Sequence, residues 1–118
     1  KSKVSNKSSD QAQIIMTSID EIVKENNHSQ IDLIKIDVEG YEYNVLKGGI
    51  NTIQKYRPII YLEFKESKLA ILNFAKSLKY LIYVPSLSGE LIQKNEFLIN
   101  QNDYENIFLV PREDSINL

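Results

Sequence analysis

Hydrophobic and polar positions change rhythm several times along the chain, and each change marks a predicted element. The run IDLIKIDV, residues 31–38, is rich in β-branched residues and predicts a strand buried on both faces, as in parallel sheets. In YEYNVLKGGINTIQKY, which follows after Glu39-Gly40, apolar Tyr43, Leu46, Ile50 and Ile53 recur at helical steps of 3, 4 and 3. Glu42 falls in the first turn and Lys55 in the last, as the helix dipole favours. The Gly48-Gly49 pair inside this stretch costs about 1 kcal/mol per glycine against alanine, which predicts a kink or two short helices. Arg57-Pro58 stops the pattern, and residues 59–64 give a second buried strand. A helix over about residues 66–78 follows, with Leu69, Leu72, Phe74 and Ala75 turned inward.

The flanks are less regular. Residues 1–13 are polar and form a lead-in. Ile14-Ile15-Met16 is a candidate edge strand, and Ser18 and Glu21 have capping-box spacing for a short helix with Ile19, Ile22 and Val23 on its apolar side. Asn26-Asn27 ends that helix. Toward the C-terminus, LIYVPSLSGELI predicts a strand, a turn around residues 86–89 and a short return. NEFLI and NIFLVP are further strand candidates, and residues 112–118 form a polar tail. Strand–helix–strand–helix in the middle implies right-handed parallel βαβ units, and the last strands an antiparallel edge. The expected architecture is a single α/β domain over residues 1–118.

Composition narrows the chemistry. With 118 residues, 42% hydrophobic and 25% charged, the chain is long enough to bury an ordinary core. Its 14 basic and 16 acidic side chains leave a net charge of -2, which offers no electrostatic grip on nucleic acid. The absence of cysteine excludes disulfides, thiolate metal sites and a thiol nucleophile. A single histidine, His28, excludes a multi-histidine metal centre and argues against a Ser/His/Asp triad. No apolar run reaches membrane-spanning length and no signal-peptide pattern is visible, so the expected location is cytoplasmic, with no membrane partner. Four glycines cannot be arranged as G-x-G-x-x-G or a Walker loop.

The chemistry concentrates at the end of the first buried strand. Alternation puts Leu33, Lys35, Asp37 and Glu39 on one side and Ile34, Ile36 and Val38 on the other. Three charges thus share a face at a carboxyl end, where open α/β sheets bind ligands. Gly40 lets the backbone turn sharply into the next helix. Glu63 has the matching position on the neighbouring strand, within reach of Lys35 or Asp37 if the two strands pair. One reading is structural: Lys35 and the carboxylates form an ion-pair network, with Asp37 and Glu39 capping the following helix. The other is a functional site. Asp37 and Glu39 are also oxygen donors of the type that holds a divalent cation, although two are few. Tyr41, Tyr43, Tyr56 and Tyr61 form a candidate stacking set whose alternative is ordinary packing.

The string IDLIKIDVEGYEYNVLKG (residues 31–48), followed by RPIIYLEF (residues 57–64), resembles the FkbM family of S-adenosylmethionine-dependent methyltransferases. Thr17-Ser18-Ile19-Asp20-Glu21-Ile22 is similar to an upstream segment of that family, and NIFLVP to its last strand. The resemblance implies the C-terminal part of a class I (Rossmann-like) methyltransferase fold, with a mostly parallel sheet and an antiparallel final hairpin. It implies an O-methyltransferase acting on a hydroxyl of a sugar or other small-molecule or glycan acceptor, with S-adenosylmethionine as cofactor. Asp37 and Glu39 become the expected catalytic residues, with Glu63 close by and Lys35 steadying the acids. Asp37, Val38, Glu39 and Gly40 form the stretch facing the methyl donor. The family's glycine-rich cofactor loop and ribose-binding acid have no counterpart in these 118 residues. Gly49 stands where alanine is usual, and Lys79-Tyr80 where glycine-tyrosine is frequent. A contrasting reading is a non-catalytic α/β module that pairs with another chain, as a homodimer or with an N-terminal half. A third, a Mg²⁺-dependent phosphatase-like or receiver-like domain using Asp37, lacks the further acids such sites need.

Overall fold

The computed structural model describes the backbone of residues 5–7, 14–27, 30–95 and 104–117, and side chains within 17–27, 30–95 and 104–115. The elements run β1 (Ser5–Lys7), β2 (Ile14–Met16), α1 (Ile19–Asn26), β3 (Leu33–Ile36), α2 (Glu42–Lys47), α3 (Ile50–Tyr56), β4 (Ile59–Glu63), α4 (Lys68–Ser77), β5 (Tyr80–Pro85), β6 (Leu91–Lys94) and β7 (Asn106–Pro111), closed by a 3₁₀ turn over Arg112–Asn117. His28 and most of NEFLI lie outside the described residues. Within the lead-in, Ser5–Lys7 pairs antiparallel with Ile14–Met16, so this part of the polar segment is a strand.

The main sheet has the order β3-β4-β7-β5-β6. Among the described residues only β3 and β4 pair in parallel; β4–β7, β7–β5 and β5–β6 are antiparallel. The sheet is therefore not mostly parallel. The cause is the position of β7, which enters between the two codirectional strands β4 and β5 and reverses both pairings. The segment β3–α2–α3–β4 remains a βαβ unit, and β5–β6 is the expected hairpin around Ser86–Gly89.

One face of this sheet carries the core. Ile34, Ile36, Ile60, Leu62, Ile107, Leu109, Tyr80, Ile82 and Val84 form one cluster with Ile19, Val45, Leu46, Ile53, Ile71, Leu72, Phe74 and Ala75 from the four helices. Burial along β3 alternates, with Leu33 54% exposed and Ile34 fully covered. The expectation of a strand buried on both faces is thus corrected: β3 is an edge strand whose second face has no helix over it among the described residues. Leu69, expected inward, is 62% exposed, and Ile71 takes its place beside Leu72.

The helix ends follow local chemistry. Ser18 and Glu21 form a reciprocal capping box, and Asn27 closes α1 in the left-handed conformation. The glycine pair does split its segment into α2 and α3. A Cβ on Gly49 would stand 3.0 Å from two carbons of buried Ile19, so the break is also where α1 packs closest. Asp20 of α1 reaches across to accept the backbone N–H groups of Asn51 (3.2 Å) and Thr52 (2.9 Å), capping α3 from another helix.

Candidate functional site

Asp37 and Glu39 stand where β3 ends and the chain turns into α2. The Tyr41 N–H donates to the Val38 carbonyl at 2.9 Å, and Gly40 has φ +82°, the conformation such a turn reserves for glycine. Both carboxylates are exposed and accept no hydrogen bond from described residues. They are not helix caps: Tyr41 holds the N-cap position of α2, and no side chain bonds there.

The parallel register of β3 and β4 pairs Lys35 with Tyr61 and Ile36 with Leu62. Continued past the last bonded pair, that register carries Asp37 toward Glu63 at the carboxyl end of the two strands. Lys35 does not join them. It is exposed, it forms no ion pair among the described residues, and its Nζ lies 6.0 Å from the Tyr61 ring centroid. The structural reading, an ion-pair network through Lys35, therefore has no counterpart among the described residues. On a strand whose outer face is open, the ammonium stays in water and needs no partner.

The tyrosines are dispersed rather than grouped. Tyr41 is 63% exposed beside the turn, Tyr43 lies under the Lys47 ammonium, and Tyr61 packs on Phe108 with centroids 4.6 Å apart. Among the described residues, no three acidic or histidine side chains converge closely enough to hold a metal ion.

Glu42 is the residue that sequence reasoning left out of the site. It is 1% exposed in the first turn of α2, and its Oε2 has no hydrogen-bond partner. Removal from water pushes its carboxyl above the usual range, and the charges of Glu63 and Glu66 push in the same direction. Backbone N–H groups of Glu42 and Gly40 pull the other way, by less. Glu66, in the loop after β4, lies across the turn, its Oε2 3.2 Å from where a Cβ on Gly40 would stand. Periodicity marks Glu42 only as a dipole partner, because the acids it meets come from β4 and the loop after it.

Other polar features lie elsewhere. Arg57 holds Glu113 through two contacts of 2.9 and 3.1 Å, donates to the carbonyls of Leu78 and Lys79, and stacks on Tyr80. A cleft of about 410 Å³ opens between α1 and α3, where Asp20 is already committed to capping.

In comparison with known families, the model described as Methyltransferase FkbM domain matches residues 1–105. No curated protein and no solved structure matches the chain.

Proposed function

Since this chain belongs to the FkbM methyltransferase domain family, we propose that its carboxyl sheet edge serves S-adenosylmethionine-dependent O-methylation of a sugar or other hydroxyl-bearing acceptor. The observation that carries this reading is the turn after β3. Exposed Asp37 and Glu39 flank Val38 at the carboxyl end of the parallel β3–β4 pair, with Glu63 at the end of β4. That is where ligands bind in α/β sheets. The order β3-β4-β7-β5, with β7 reversed between its neighbours, supports the reading of the chain as the C-terminal part of a class I (Rossmann-like) methyltransferase fold.

The donor set suits the charged end of the cofactor. Asp37, Glu39 and Glu63 are anions and a sulfonium is a cation, so the residues present fit that end, with Val38 and Gly40 supplying backbone beside it. When bound, S-adenosylmethionine supplies the electrophilic methyl group. The work of this chain's residues is to hold and deprotonate the acceptor. A hydroxyl is a weak nucleophile, and a carboxylate that accepts its proton makes it a better one. Asp37, exposed and without a hydrogen bond from the described residues, is the base in this reading. Glu39 and Glu63 orient the acceptor oxygen, and holding it in line removes much of the barrier. Lys35 contributes positive charge from the same sheet face. The work is assigned to the cytoplasm; no helix among the described residues is long and apolar enough to cross a membrane.

The test is to supply the full-length protein with S-adenosylmethionine carrying a ¹³C-methyl and a panel of hydroxyl-bearing sugars. The label is expected in a methyl ether. Label on nitrogen or carbon, or no transfer to any hydroxyl, would overturn the reading.

A second reading is a partner-binding module without catalysis. It is favoured by the open sheet face, where Leu33, Tyr61 and Phe108 present apolar surface with no helix over it among the described residues. A second copy or a separate N-terminal half is the partner in that case.

A further inference from the structure

A carboxylate removed from water normally finds donors for both oxygens, because a missing hydrogen bond to a charged group is costly. Glu42 departs from this. Its side chain is 1% exposed and its Oε2 has no donor. The charges acting on it are two further carboxylates, Glu63 and Glu66. Exposed Glu66 reaches across Gly40, whose missing side chain leaves the room that its carboxylate occupies. Described side chains form no ion pair with any of the three. A buried acid with one oxygen left without a donor, under the charges of two others, is an arrangement that lacks a cation.

The chemistry of that cation can be narrowed. A divalent metal needs several carboxylates converging at bonding distance, and no three acidic or histidine side chains among the described residues converge in that way. A hydroxyl supplies one hydrogen bond and leaves the repulsion between the acids in place. A protonated amine supplies three donors and a positive charge, so it satisfies Oε2 and offsets the two neighbouring charges together. Tyr41, 63% exposed and next to Gly40, adds an aromatic face of the kind that attracts such a group.

We propose that Glu42, Glu66 and Glu63 form a subsite for a protonated amine on the bound acceptor, so that the substrate class is amino sugars or other amino alcohols. The proposal rests on the methyl-transfer reading above and deepens it: the ammonium seats at Glu42, and the hydroxyl to be methylated extends toward Asp37. The exposed Glu66 side chain, attached through rotatable bonds, swings aside to admit the amine and then returns to bind it.

The experiment follows the side-chain carboxyl carbon resonances of the ¹³C-labelled chain by NMR. The probes are glucosamine and glucose, which differ only in the group at one carbon. No cofactor is present, so the result does not depend on methyl transfer. Glucosamine is expected to shift the Glu42 resonance saturably, and glucose at equal concentration is not. Glu42→Gln, which keeps the shape and removes the charge, should weaken glucosamine binding tenfold or more, and Glu66→Gln several-fold. Glu90→Gln, on the distant β5–β6 hairpin, should leave it unchanged. Equal responses to the two sugars, an unmoved Glu42 resonance, or glucosamine binding that Glu42→Gln leaves intact would overturn the subsite. Failure here with label still appearing in a methyl ether removes the amine subsite alone. Amine binding with no methylation of any hydroxyl keeps the subsite and removes the methyl-transfer reading.

Discussion

Glu42 shows how much a single buried side chain can decide. Its carboxyl is held above the usual range by loss of hydration and by the charges of Glu63 and Glu66. The folded state therefore binds this proton more tightly than the unfolded state. Stability from this group is fully present below the unfolded value near 4.5 and is lost as pH rises from there through the folded value. Glu42→Gln should accordingly melt above the wild type at pH 8, with the difference shrinking toward pH 4. Thermal unfolding followed by circular dichroism at both pH values checks this, and a gap that does not change with pH would contradict it. Asp37 and Glu63 were legible as candidates because they stand at the ends of two recognisable strands, and Glu39 because it follows in the turn. Lys35 forms no ion pair with them among the described residues because it is exposed, and burial, not residue type, decides whether an ammonium needs a partner. Glu42 was missed because its acidic neighbours come from another strand and the loop beyond it.

Local signals predicted the elements well where the cause of an element is itself local. The capping box at Ser18, the glycine break at residues 48–49 and the hairpin at Ser86–Gly89 all depend on neighbours within a few residues. The cap on α3 does not. Glycine at position 49 has no side chain to offer, so Asp20 of α1 accepts the Asn51 and Thr52 N–H groups instead. No spacing rule finds a cap donated from thirty residues away. Asp20→Ala should lower stability by about 1 kcal/mol, the usual cost of losing a cap. Urea titration measures it, and an unchanged midpoint would show that water replaces the carboxylate at no cost.

At the scale of the molecule, sequence patterns specify strands but not their neighbours. That β7 inserts between β4 and β5 is a long-range choice, and it leaves a single parallel pair among the described residues where a mostly parallel sheet with an antiparallel final hairpin was expected. The same limit explains β3. Its β-branched run is what a doubly covered strand needs, yet only one face meets the core. The candidate site survives these corrections because it depends only on β3 and β4 lying side by side in register. The measurement that tests its central claim most directly is methyl transfer by Asp37→Asn in the full-length protein, in single turnover with bound S-adenosylmethionine and acceptor. A general base contributes about 10²–10⁴-fold, so turnover should fall at least about 100-fold while thermal unfolding and cofactor affinity stay as in the wild type. Undiminished turnover would show that the acceptor gives up its proton elsewhere.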